Sequence, residues 1–142
     1  MGKKRIIKKT GTEDVGAKPK GVSVSKKRVD YGILQVKSTF NNTLLCLTDG
    51  QGNTLAWSSS GSIGFKGAKR GTPFAAAKVG ELLGEKAQAM GVKEVGVIIR
   101  GVGAGRESAV RGFVSKGIGL TFVRDETPLP HNGPRPPRPR RV

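Results

Sequence analysis

Acidic side chains are scarce in this 142-residue chain: ten Asp and Glu stand against 26 Lys and Arg, a formal net charge of +16. That imbalance points to a polyanionic partner rather than to a fold. Cysteine and histidine are rarer still, one of each, Cys46 and His131. An internal disulfide and a Cys/His zinc site are thereby excluded. No run approaches the roughly 20 apolar residues needed to cross a bilayer, and the first thirty residues lack the apolar stretch of a secretory signal. No membrane partner is expected, and the chain is expected to work in the cytoplasm. Aromatics number seven, five Phe with one Trp and one Tyr, so base stacking is expected to matter less than contacts to a charged backbone.

The charge that is present sits mostly at the ends. Residues 1–28 carry ten basic and two acidic side chains, residues 29–125 twelve and seven, and residues 126–142 four and one. The reading is one domain, 29–125, with two basic arms. The first arm, 1–28, holds too little apolar surface to offset its ordering entropy and is expected to be disordered. The second, 126–142, contains six of the eight prolines. Proline fixes φ and removes backbone donors, so Arg135, Arg138, Arg140 and Arg141 are expected to project from an extended polyproline-like segment.

Between the arms the hydrophobic period changes along the chain. Leu34, Val36 and Phe40 are expected on one face of a strand, with Ile33, Gln35 and Lys37 on the other. TLLCLTD follows as a second strand, and Cys46 within it reads as a small buried side chain. DGQGN is turn chemistry, and residues 54–58 return as a third strand, completing an antiparallel meander. Trp57 reads as core or sheet surface. Thr72-Pro73 is a helix start; the helix runs to Met90, with Ala75, Val79, Leu82, Leu83, Ala87 and Met90 on one side, and Gly91 stops it. Gly80 and Gly84 weaken that helix by about 1 kcal/mol each relative to alanine, which close packing on the sheet would explain. EVGVIIR is apolar on both faces, as in a buried parallel strand. A short helix near Glu107–Lys116 and a closing strand GLTFVRD complete the order βββαβαβ, an α/β domain of two or three layers with a mixed five-stranded sheet.

Two glycine-rich loops and the tail concentrate the candidate binding residues. RGVGAGRES puts three glycines between a strand and a helix, yet the sixth position of a GxGxxG fingerprint is Arg106, and the chain is too short for a second Rossmann half. No nucleotide cofactor is expected. Backbone N–H groups at a helix start still favour an anion, with Arg100, Arg106 and Arg111 around it. GFKGAKRG offers glycines for close backbone approach and Lys66, Lys69 and Arg70 for charge; Phe65 stacks on a base or pins the loop to the core. In the tail, Asn132-Gly133 either makes a tight turn that aims the arginines or is prone to succinimide formation. The same order suits ribonuclease-H-like hydrolases, but those need clustered carboxylates for two metal ions, and here one strand offers only Asp30 while another ends in Arg100. No enzymatic activity, metal or small-molecule substrate is expected.

Several long segments, FNNT at Phe40–Thr43, TDGQGN, LAWSSSGSIGFKGAKRGTPFAA, GVGAGRESAVRGF and GIGLTFVRDETPLPHNGPRPP, together resemble the family of the eleventh protein of the small ribosomal subunit, in its bacterial form. The resemblance implies a ribonuclease-H-like fold without its active site and a place on the platform of the subunit. It also implies contact with small-subunit ribosomal RNA and neighbouring ribosomal proteins, close to messenger RNA at the exit beside the anti-Shine-Dalgarno sequence. The RNA-facing positions it implies are Asn41 and Asn42, Lys66, Lys69 and Arg70, Arg106 and Arg111, and the tail from His131 and Asn132 to Arg141. Glu126 stands where a small apolar residue is more usual. The alternative is a free-standing nucleic-acid chaperone or regulator.

Overall fold

The computed structural model describes residues 28–141; the expected disordered arm therefore lies, Arg28 apart, outside the described residues. The order is β1 (Tyr31–Ser38), β2 (Thr43–Asp49), β3 (Thr54–Ser59), α1 (Pro73–Met90), β4 (Glu94–Arg100), α2 (Arg106–Val114) and β5 (Gly119–Asp125). One sheet runs β3-β2-β1-β4-β5. The β1–β2 and β2–β3 pairs are antiparallel, while β1–β4 and β4–β5 are parallel; α2 supplies the crossover between β4 and β5, and the connection from β1 to β4 passes through β2, β3 and α1. The expected mixed α/β sheet is what forms.

Local chemistry explains the punctuation. At the β2–β3 turn the Asp49 carboxylate accepts from the backbone N–H of Gln51 at 2.9 Å and of Asn53 at 2.8 Å, and Gly52 takes φ +92°, which suits a residue without Cβ. Thr72 caps α1 by accepting from the Ala75 N–H at 3.3 Å, Pro73 occupies the first turn, and Gly91 ends the helix in the left-handed region. Among the described residues no helix is long and apolar enough to cross a membrane.

The strands turn Leu34, Val36, Leu45, Leu47, Val95 and Val97 inward, and α1 and α2 both contribute to that one core through Val79, Leu83, Ala109 and Phe113. Both helices thus lie on a single face, the domain has two layers, and the opposite face of the sheet has no covering element among the described residues. Cys46 is on that uncovered face and is half-buried rather than buried.

Two expectations need correcting. Phe40 does not share the Leu34 face: β1 ends at Ser38, which turns inward fully buried, and Phe40 is 77% exposed in a turn where the Thr39 N–H donates to the Asn42 carbonyl at 2.9 Å. A turn resets the period-two pattern. Gly80 and Gly84 serve helix–helix packing, not contact with the sheet. A Cβ on Gly80 would overlap the Ala109 carbonyl, one on Gly84 would lie 2.9 Å from the Phe113 carbonyl oxygen, and one on Gly112 would overlap the Ala77 carbonyl. The closing strand forms as expected at GLTFVRD, where β5 is an exposed edge strand in which only Phe122 is partly buried.

Candidate nucleic-acid interface

Because β1 and β4 are parallel, their carboxyl ends lie at the same end of the sheet, where ligands of open α/β sheets commonly bind. Three segments meet there: the Phe40–Asn42 turn, the loop between β3 and α1, and the glycine-rich turn after β4. Glycines make the meeting possible. A Cβ on Gly71 would overlap the Phe40 carbonyl, and Cβ atoms on Gly101 and Gly103 would overlap the backbone of Ser38 and Thr39. The sequence assigned these glycines to close approach by phosphate; the structure assigns Gly71, Gly101 and Gly103 to close approach of one chain segment to another. The Gly103 N–H donates to the Ser38 carbonyl at 3.0 Å and the Gly101 N–H to Thr127 Oγ1 at 3.2 Å, so these two amides are already occupied.

The loop after β3 is anchored at both ends. Buried Ser60 donates its hydroxyl to the Thr43 carbonyl and accepts from the Thr43 N–H, both at 3.2 Å. Phe65 is half-buried and meets Phe74 edge-on, with ring centroids 6.0 Å apart and planes at 82°, a geometry that pins the loop. Between these anchors a 3-10 turn, Gly67–Gly71, ends in Lys69 and Arg70. Lys66 and Lys69 are exposed, whereas Arg70 is half-buried and donates through Nε to the Gly67 carbonyl at 3.4 Å. Asn41 is exposed beside this loop; Asn42 is half-buried, and its Oδ1 has no hydrogen-bond partner among the described residues.

The arginines around the second glycine turn form an ion-pair network that roots the tail. Arg106 donates through Nη1 to the Gly101 carbonyl at 2.9 Å and through Nη2 to Asp125. Asp125 in turn accepts from the Thr127 hydroxyl at 2.6 Å and the Thr127 N–H at 2.9 Å. Arg100 pairs with Glu126 at 2.9 Å, and Glu126 also lies 3.6 Å from Arg124. The Glu126 N–H continues the ladder by donating to the Ile99 carbonyl at 2.9 Å. Sequence reasoning missed Asp125, Glu126 and Thr127 as a unit, although an Asp two residues before a Thr at a strand end is a legible Asx-turn signal. Arg111 stands apart on α2, exposed, with a 3.7 Å pair to Glu107 one turn earlier; such a pair contributes little.

The Asp125 carboxyl carries a measurable signature. The Thr127 hydroxyl first, and then the Arg106 guanidinium, lower it from the ordinary 3.8 to about 2. A depressed carboxylate contributes stability that is present above about pH 4 and is lost as pH falls through about 2. Carboxyl NMR titration of the protein is expected to place Asp125 near the lower value, and Thr127→Val to move it up toward the ordinary one. An unmoved midpoint in that variant would remove the network from the account.

Beyond Thr127 the described tail forms neither helix nor strand, and His131, Asn132, Arg135, Arg138, Arg140 and Arg141 are all exposed. Asn132 takes φ +58°, and a Cβ on Gly133 would lie 2.8 Å from the Pro130 side chain, a tight turn just ahead of the arginines. Among the described residues no three His, Cys, Asp or Glu side chains are grouped as ligands for a metal ion. The end of the sheet thus presents Asn41, Lys66 and Lys69 to solvent, and the ion-pair network starts the arginine-bearing tail from the same end. A polyanion with a flexible path fits that arrangement. The family model described as Ribosomal protein S11 matches residues 32–141.

Proposed function

From the premise that the chain belongs to the ribosomal protein S11 family, and so is an RNA-binding protein of the small ribosomal subunit acting in translation, we propose how its surface is used. It is a structural constituent without catalytic activity, held on the subunit platform in the cytoplasm by ribosomal RNA and by neighbouring ribosomal proteins. The fold is read as ribonuclease-H-like without its active site, β4 ending in Arg100 rather than in an acid. Asn41, Asn42, Phe65, Lys66, Lys69 and Arg70 meet ribosomal RNA at the carboxyl end of the sheet. Arg100 and Arg106 act mainly by fixing the direction of the tail, whose His131, Asn132, Arg135, Arg138, Arg140 and Arg141 follow RNA phosphates beside the messenger RNA exit. Arg111 is a peripheral phosphate contact.

The observation that carries this reading is the convergence of the three loops and the tail root at one end of the sheet, with cations around them. Backbone cations position a protein on RNA without reading sequence, as suits a structural role. Sedimentation tests it. In a cell extract resolved on a sucrose gradient, the tagged chain is expected to follow the small subunit quantitatively. Recovery mainly in the light fractions would favour the free-standing regulator instead.

A further inference from the structure

We propose that the uncovered face of the sheet is a second RNA-binding surface, on which an unpaired ribonucleotide segment lies across the strands with one base stacked on Trp57. The inference rests on the reading of the chain as an RNA-binding ribosomal protein and adds a distinct place and mode of contact. It goes beyond the reading of Trp57 from the sequence as core or sheet surface.

The strand register assembles the face. Trp57 on β3 is opposite Cys46 on β2, Cys46 opposite Gln35 on β1, Gln35 opposite Ile98 on β4, and Ile98 opposite Arg124 on β5. With neighbouring strands about 4.8 Å apart, the row is roughly 19 Å long. Sheets of similar width stack two or three unpaired bases on their aromatics. Trp57, the largest apolar side chain of the protein, is 58% exposed here. At the far end the Phe122 ring lies over Gly96, where any Cβ would overlap it, and the Arg124 guanidinium sits 5.4 Å from the ring centroid. One aromatic is therefore already covered by a cation, and the other is open.

Charge selects the occupant. In the next row Lys37 is directly opposite Arg100 in the parallel register. Like charges facing each other across strands are destabilising, and an anion between them reverses the sign. Glu126 pairs with Arg100 and Arg124, but no carboxylate pairs with Lys37 among the described residues. The face thus combines an uncovered indole, an exposed amide at Gln35 in its centre, and cations along one side. An apolar protein partner would have to desolvate Gln35 and Lys37 without compensation, whereas unpaired RNA supplies a base for the indole and phosphates for the cations. The row of Lys37 and Arg100 also adjoins Ser38 and Gly101, so the face is continuous with the loop cluster and the tail root.

Trp57 is the only tryptophan, so its emission reports on this face alone. The full chain is titrated with a labelled octauridylate and with a labelled RNA duplex of eight base pairs, following tryptophan emission and RNA anisotropy together. Unpaired RNA is expected to quench Trp57 and the duplex to leave it bright. Trp57→Ala is expected to weaken octauridylate binding by roughly five- to a hundredfold, the loss of one base stack, with Trp57→Phe restoring most of it and duplex binding unchanged in both variants. Anisotropy showing octauridylate binding with constant emission would overturn the platform and leave the RNA-binding reading intact. No binding of either RNA would overturn both. In assembled small subunits, ultraviolet cross-linking is expected to put a nucleotide on the β3 peptide that contains Trp57; a protein neighbour captured there instead would overturn the proposal.

Discussion

Binding of this protein to a fragment of small-subunit ribosomal RNA is expected to weaken about a thousandfold between 50 and 200 mM salt. Lys66, Lys69 and Arg70, with four tail arginines, offer about seven phosphate contacts, and each contributes a slope of about 0.7 in log K against log salt on single strands. Ending the chain after Thr127 is expected to remove about three units of that slope and to cost roughly a hundredfold in affinity near 0.15 M salt. The melting temperature is expected to stay where it was, since residues 128–141 are exposed throughout. Ending it after Asp125 is a different experiment. It deletes the Glu126 pairs and the Thr127 hydrogen bonds, and a lower melting temperature is expected as well. Fluorescence anisotropy across a salt series, with thermal melts of the same samples, separates the two cuts. A flat salt response would remove the phosphate-tracking tail from the account, and equal melting temperatures for the two cuts would remove the clamp at its root.

Gly80→Ala is expected to lower the melting temperature by roughly 10 °C, although alanine is the better helix former. Propensity alone favours alanine by about 1 kcal/mol. Against that, the new Cβ would overlap the Ala109 carbonyl of α2, a backbone atom that moves only if the helix moves. Overpacking typically costs about 1–3 kcal/mol and occasionally more; because the clash here is with the Ala109 carbonyl and the Phe113 backbone nitrogen rather than with a flexible side chain, a cost of about 3–4 kcal/mol is expected, which less the propensity gain leaves roughly 2–3 kcal/mol of destabilisation, at about 4 °C per kcal/mol in a domain of this size. Gly112→Ala is expected to behave alike, because its Cβ would overlap the Ala77 carbonyl from the other side. Gly50→Ala is the control: nothing lies within 4 Å of that Cβ, and little change is expected. Thermal melts followed by circular dichroism distinguish these outcomes, and a stabilised Gly80→Ala variant would mean that α1 and α2 do not pack as closely as described.

What the sequence determined by itself was whatever depends on neighbours along the chain. Alternating apolar residues around Leu34 and Val36 and in TLLCLTD, the turn chemistry of DGQGN, and the Thr-Pro start and Gly stop of α1 are local instructions, and each formed where it was expected, except that the first alternation stops at Ser38, short of Phe40. Net charge and its concentration in loops and tail were equally legible, because composition needs no coordinates. What only the tertiary structure decided was which surface each element meets. Period-two patterning says that a strand has two faces but not whether a second layer covers both; here both helices went to one face and left Trp57 and Gln35 on the other. A glycine one turn from another announces close approach without naming the partner, and the partner of Gly80 was α2 rather than the sheet. Arg106 is indistinguishable in sequence from a free phosphate-binding arginine. Only folding brought it against Asp125, nineteen residues away, where a neighbouring carboxylate rather than solvent takes up its charge.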